Sequence, residues 1–146
     1  MSDGHVYIIG GYQTDFSRNW ARENKHVVAI MREAYEGAAH ATEVKPADIS
    51  AAFIGNFAAE LYCMQGHLGA FFVECDEAFS GIPTTRCEAA CASGAVAALS
   101  AVAYIKAGIY DLVFVLGVEQ MKTVSSSAGG TYLGTAAWYE RECRDI

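Results

Sequence analysis

From Ala95 to Ile105 every residue except Ser100 is apolar, and most are alanine or valine. A helix built from this stretch has no polar face, so it must be buried on all sides, and its small side chains let neighbouring layers approach closely. One sheet with helices on its outer faces does not supply that environment, whereas a helix sandwiched between two sheets does. The strand-like segments of this chain suffice for one sheet. The second covering layer is therefore expected from elsewhere, either from further protein or from a partner protomer laid over the helix.

The rest of the chain alternates strand-like and helix-like segments. Val6 to Gly10 is a short β-branched run stopped by Gly10-Gly11 and reads as a first strand. From Asn24 to about Val44, Val27, Ile30, Met31, Ala34, Tyr35, Ala38 and Ala41 recur at the three-and-four spacing of an amphipathic helix. Ala51 to Gly55 reads as a second strand, Ala58 to Phe72 as a weak helix, and Thr84 to Ala90 as a third strand. A helix from Cys91 to Ala107, closed by Gly108, leads to a fully apolar fourth strand, Leu112 to Gly117. This order predicts an α/β fold with a mostly parallel sheet covered by helices. Residues 1–124 form the ordered unit in this reading. The Ser125 to Gly130 run then opens a flexible, turn-rich loop excursion over residues 125–146.

Charge and cysteine content exclude several classes of function. Ten basic against 17 acidic residues give a net charge of −7, with no cluster of Lys and Arg to track a phosphate backbone, so nucleic acid is not an expected partner. The N-terminus lacks the layout of a signal peptide, and no apolar stretch reaches the length of a membrane span, so the expectation is a cytoplasmic protein with no membrane partner. Five cysteines (Cys63, Cys75, Cys87, Cys91 and Cys143) at irregular spacing suit neither a disulfide framework nor a four-ligand zinc site. Reduced thiols and no metal are expected.

Cys91 is the residue with chemical promise. It stands where a strand-like approach ends and a long helix opens, and the amides and dipole of a first helical turn favour thiolate over thiol. Ser93 and Gly94 leave little bulk before an incoming acyl group, and Ala89, Ala90 and Ala92 are equally small. A buried cysteine among alanines can equally be an inert core residue, and the spacing alone leaves both readings open.

Cys91-Ala92-Ser93-Gly94 after a strand, the small-residue helix, and Gly117-Val118-Glu119-Gln120-Met121 after the next strand together resemble a thiolase. Gly55-Asn56 and Gln65-Gly66 sit where thiolases carry a similar glycine and glutamine run, and Glu-Ala-Ala-Cys-Ala-Ser-Gly is similar to the archaeal-type and sterol-carrier-like acetyl-CoA acetyltransferase branch. The resemblance covers nearly the whole chain. It implies a βαβαβαββ N-terminal half packed on a duplicate C-terminal half in α-β-α-β-α layers, with the all-apolar helix in the shared central layer. It also implies that Cys91 attacks an acyl-CoA thioester and carries the acyl group, with its own amide as one oxyanion donor. Beside it, Ser93 and Gly94 are read from their position and small size as oxyanion or site-shaping residues.

In this family the histidine motif that activates the nucleophile, the second cysteine and the Asn-Glu-Ala-Phe element belong to the C-terminal half. The expectation is therefore an N-terminal half or split subunit, inactive alone, working as a homodimer or with a C-terminal-half chain. Coenzyme A thioester is the expected substrate, with no permanently bound cofactor. A ketoacyl synthase or aldolase-like condensing enzyme is one alternative, and a non-catalytic lipid-binding or scaffolding module is another. His5, His26, His40 and His67 read as solvated or cap residues rather than a base for Cys91, with His67 the nearest candidate in sequence. Glu88 reads either as an acid or as a side chain pointing away, and Glu119 as a structural hydrogen-bonding group. Cys87 is not expected to pair with Cys91. Tyr132, Trp138 and Tyr139 read as covering a neighbouring surface, with an acyl or pantetheine contact as the other possibility.

Overall fold

The fold was analysed in a computed structural model, which describes residues 4–143. Helix α1 (Val27–Thr42) buries Val27, Ile30, Met31, Tyr35 and Ala38, the stripe that the periodicity predicts. It ends where Glu43 turns left-handed at φ 58° and donates its N–H to Ala39 O at 2.8 Å. Three parallel strands follow: β1 (Ala51–Gly55), β2 (Thr84–Cys87) and β3 (Val113–Gly117), in the order β2-β1-β3. Ala52 lies opposite Thr84 on one side and Phe114 on the other, and Gly55 opposite Cys87 and Gly117. The expected α/β fold with a parallel sheet is thus present.

All five residues of β1 are buried, and their alternation feeds two different cores. Ala52 and Ile54 join α1, with Tyr35, Phe72, Phe79 and Leu116 on the same face. Phe72 stacks on Phe79 at 4.5 Å, and the Tyr35 ring meets Phe79 edge-on at 4.9 Å. Side chains of this size contribute roughly 1.5–3 kcal/mol each when fully buried, so this face carries most of the fold's stability. Ala51 and Phe53 face the other way, onto Ala97 and Ala101 of helix α3 (Ser93–Lys106).

Only one stripe of α3 is covered, by Ser93, Ala97 and Ala101 with Tyr104 against Phe53 at 5.3 Å, while Leu99 on its far side is 69% exposed. Among the described residues no second sheet lies over it. The apolar far side is therefore uncovered within the described residues.

Three expectations need correction. The run from Val6 to Gly10 is not a strand of this sheet, and Ile8 is 95% exposed. The segment passes along α1 instead: Gly10 lies against the Thr42 methyl, and the Tyr12 ring lies against Gly37. A β-branched run forms a strand only where a sheet edge meets it, and none of the three strands pairs with this one. The helix expected from Ala58 to Phe72 breaks into the short α2 (Ala59–Tyr62) and a 3-10 turn at Ala70–Glu74, because Met64 and His67 between them are left-handed at φ 53° and 56°. The run from Ser125 to Gly130 is not a flexible loop. The Ser125 side chain caps helix α4 (Ser126–Gly134) by accepting from Ala128 N, and Tyr132 meets Tyr62 edge-on at 5.3 Å. A final short helix, α5, spans Tyr139–Glu142.

The other boundaries move by a few residues. The third strand stops at Cys87 rather than Ala90, and a 3-10 turn at Ala90–Ala92 precedes α3. No helix among the described residues is long and apolar enough to cross a membrane.

Candidate functional site around Cys91

Cys91 is exposed, on a turn set by its neighbours. Ala90 is left-handed at φ 48°, an unfavourable conformation for a residue with a Cβ and no polar side chain to compensate. The surrounding hydrogen bonds hold it there. Ser93 Oγ donates to Ala90 O at 2.6 Å and accepts from Ala89 N at 3.0 Å, while Glu88 Oε1 accepts from Ala90 N at 2.6 Å. Ser93, 95% buried, thus clamps the turn that presents the thiol. Glu88 therefore does not point away from the turn but folds back onto it, with Oε1 engaged by the Ala90 amide.

Behind the turn, the first residues of α3 rest directly on the end of β1. A Cβ placed on Gly55 would come 2.7 Å from Gly94 N and Cα and 2.8 Å from the Ser93 carbonyl carbon. Only glycine at 55 permits that approach. Gly94 itself has nothing within 4 Å of where its Cβ would lie, so packing within this chain does not require a glycine there. The open space beside it faces the same cavity as the thiol.

Glu119, just past β3, closes the other side. Its Oε1 accepts from Asn56 Nδ2 at 3.1 Å, and its Oε2 accepts from Phe57 N at 2.9 Å and Ala58 N at 3.2 Å. Asn56, 98% buried, also donates to Val118 O at 2.9 Å and accepts from Ala59 N at 3.3 Å. Arg86 donates to Phe57 O at 2.7 Å and forms an ion pair with Glu60, whose carboxyl it holds below its usual range. Buried Gln120 ties this corner to the N-terminal segment through Lys25 O at 2.8 Å.

These elements enclose a cavity of about 590 Å³ that contains Cys91, Ser93 and Gly94. Its floor is Gly55, Asn56 and Gly117, and its walls include Phe16, Trp20, Met121 and Leu133. The three predicted site residues thus share one cavity. None of His5, His26, His40 and His67 lines it. Tyr132, Trp138 and Tyr139 do not line it either: Tyr132 packs on Tyr62, and Arg141 lies over the Trp138 ring. Cys87 is buried, with Ser100 Oγ 3.9 Å from its sulfur, and forms no disulfide with Cys91. Burial pushes the Cys75 thiol up to about 11 and raises Cys63 as well, which makes both poor nucleophiles. Among the described residues, no group of three or more His, Cys, Asp or Glu side chains is placed to hold a metal.

Sequence reading did not find the walls. Phe16 and Trp20 lie in a segment without periodicity, and Leu133 lies in the helix taken for a loop. The signal available for Trp20 was its pairing with nearby cations: the Arg18 guanidinium stacks 3.7 Å from its ring while bound to Glu23 and Glu33.

Known proteins match the chain over the same elements. The family model described as the thiolase N-terminal domain covers residues 6–144. An acetyl-CoA acetyltransferase of Methanocaldococcus jannaschii is 38% identical over 119 residues, and that of Methanothermobacter thermautotrophicus is 35% identical over 119 residues. Each alignment covers 82% of this chain but only 29% and 30% of the respective relative, so the chain spans less than a third of their length. With the parallel sheet, the small-residue helix behind an exposed cysteine and a match over nearly its whole length, the chain belongs to the thiolase family through its N-terminal domain.

Proposed function

We propose that this chain supplies the acyl-accepting cysteine of a thiolase-type acyltransferase that acts on acyl-CoA, either as the N-terminal half or as one subunit of a split enzyme. The observation that carries the reading is the exposed Cys91 thiol, held on a strained turn at the mouth of the apolar cavity. The Cys91 sulfur attacks the thioester carbonyl, and the oxyanion that forms takes a hydrogen bond from the backbone amide of Cys91. When the intermediate collapses, the bond from carbon to the coenzyme A sulfur breaks. Coenzyme A leaves with the proton given up by Cys91, and the acyl group stays on the cysteine. Transfer to a carbanion, or back to coenzyme A in the cleavage direction, completes the cycle.

A base for Cys91 belongs to further protein in this reading, because no histidine of this chain lines the cavity. General acid–base steps are worth about 10²- to 10⁴-fold, so the chain alone should acylate slowly and not turn over. The uncovered side of α3 is the surface we assign to the second half or to a partner protomer. Residues 1–124 are the half-domain and residues 125–146 begin the family's loop excursion, opening with α4. The unpaired cysteines suit a cytoplasmic setting. The acetyl-CoA acetyltransferase names of both relatives favour coenzyme A thioesters over carrier-protein thioesters as acyl donors.

Incubation with acetyl-CoA followed by intact-protein mass measurement tests the proposal. One acetyl adduct that is absent from Cys91→Ala is expected. An adduct that persists in Cys91→Ala, or none from any acyl-CoA, rejects the nucleophile and favours a non-catalytic module.

A further inference from the structure

We propose that the apolar groove running from Cys91 past Phe16, Trp20, Met121 and Leu133 holds the hydrocarbon tail of an acyl group well beyond acetyl, so that medium-chain acyl thioesters are the preferred substrates. This inference rests on Cys91 being the acylated residue. Three large apolar side chains in the cavity wall are exposed: Phe16 at 75%, Met121 at 40% and Leu133 at 43%. They come from three separate parts of the chain, the N-terminal segment, the end of the β3 loop and α4, and converge on the cavity that contains the thiol.

The charged groups in the same wall are all engaged. Arg18 is held by Glu23 and Glu33, Glu119 by three donors, and Lys122 Nζ donates to Arg18 O at 3.1 Å. What the groove offers a ligand is therefore apolar contact. At about 590 Å³ it is of the size that accommodates small-molecule ligands, and an acetyl group would leave most of it unfilled. The occupant is fixed by continuity with the thiol, because Cys91 and the apolar side chains Phe16, Met121 and Leu133 line one and the same cavity.

Each methylene transferred from water to the groove favours binding by up to about fourfold, so a decanoyl chain that is only partly buried should gain at least ~10-fold over acetyl. Two readouts on the full chain separate this proposal from the one beneath it. In Cys91→Ala, which cannot be acylated, the dissociation constant should fall in the order acetyl-, hexanoyl-, decanoyl-CoA. In the unaltered chain, the second-order rate of adduct formation should rise in the same order. Leu133→Trp and, separately, Met121→Trp narrow the groove at exposed positions and should bring the decanoyl-to-acetyl ratio to within about twofold.

Adducts that form at rates independent of chain length, together with equal affinities in Cys91→Ala, overturn the groove while leaving the nucleophile standing. Graded affinity without any adduct overturns the nucleophile while leaving the groove. A ratio unchanged in both tryptophan variants, with circular dichroism showing them folded, also overturns the assignment.

Discussion

Glu119 and Asn56, 63 residues apart in the chain, meet at the ends of neighbouring strands. One Glu119 oxygen accepts from the Asn56 side chain at 3.1 Å, and the other accepts from the two backbone amides that follow. A carboxylate that collects three donors in a half-buried corner is hard to replace. Hydrogen bonds to charged groups contribute about 1.5–3 kcal/mol each, and leaving their partners unpaired adds to the loss. Glu119→Ala should therefore lower the unfolding free energy by about 2–3 kcal/mol, with Glu119→Gln intermediate. Urea titration of both, with the Asn56→Ala and double variants, should give a coupling of at least ~0.5 kcal/mol. Additive effects would show that the contact contributes nothing of its own.

Gly55 and Gly94 make a matched pair for a second test. Alanine at 55 would drive its Cβ into backbone atoms 2.7 Å away, and backbone cannot move as a side-chain tip does. Gly55→Ala should cost about 1–3 kcal/mol and shift the turn that carries Cys91. Gly94→Ala meets no atom and should leave stability within about 1 kcal/mol of the native chain, since alanine is the better helix former. Equal losses in the two variants would contradict the close approach of β1 to α3.

The contrast between these glycines shows what the sequence made legible. The strands near Ala51, Thr84 and Leu112 and the stripe of α1 follow from local sequence pattern and are present, the last strand starting at Val113, whereas Cys91, expected to open the helix, stands on a 3-10 turn two residues ahead of α3. What was not legible depends on contacts distant in the chain. The demand for glycine at 55 exists only because Gly94 folds onto it, and Val6 to Gly10 fails as a strand because no strand of the sheet pairs with it. The helix at Ser126 was obscured by its own glycines, and its cap and the Tyr62–Tyr132 contact override their poor helix propensity.

Ala90 stores strain one residue before the thiol. A left-handed alanine costs about 1–3 kcal/mol relative to an unstrained residue, and glycine at the same φ does not bear that cost. Ala90→Gly should raise the thermal midpoint or leave it unchanged, because the gain in the folded state is offset by the larger freedom of glycine in the unfolded chain. If the rigid turn is what presents Cys91, the same variant should acylate more slowly. Faster acylation with higher stability would mean that the strain serves no presenting role.

Stability should also depend on alkaline pH. Burial, with Asp76 beside it, pushes the Tyr35 phenol up from its ordinary 10 to about 12. Because the folded-state value is the higher one, the stabilising difference is fully present below pH 10 and is lost as pH rises from 10 to 12. In that window the unfolded chain gives up the proton while the folded chain keeps it. The unfolding free energy should fall more steeply with pH in the native chain than in Tyr35→Phe. Parallel slopes in the two proteins would show that Tyr35 is not a source of the alkaline loss.

The five cysteines should separate by reactivity. Cys91 is exposed, Cys63 and Cys143 are partly covered, and Cys75 and Cys87 are buried. Burial also pushes the Cys75 thiol up to about 11, so at mildly alkaline pH it holds almost no thiolate, and only the thiolate reacts with an alkylating agent. Limited treatment of the native chain with iodoacetamide, followed by peptide mass mapping, should label Cys91 first and Cys75 and Cys87 only after denaturation. Octanoyl- or decanoyl-CoA added beforehand should slow labelling at Cys91 and leave Cys143 unchanged, because Cys143 lies on the Gly134 carbonyl at 3.5 Å and outside the cavity. Labelling of Cys75 ahead of Cys91 would contradict the burial of the one and the presentation of the other.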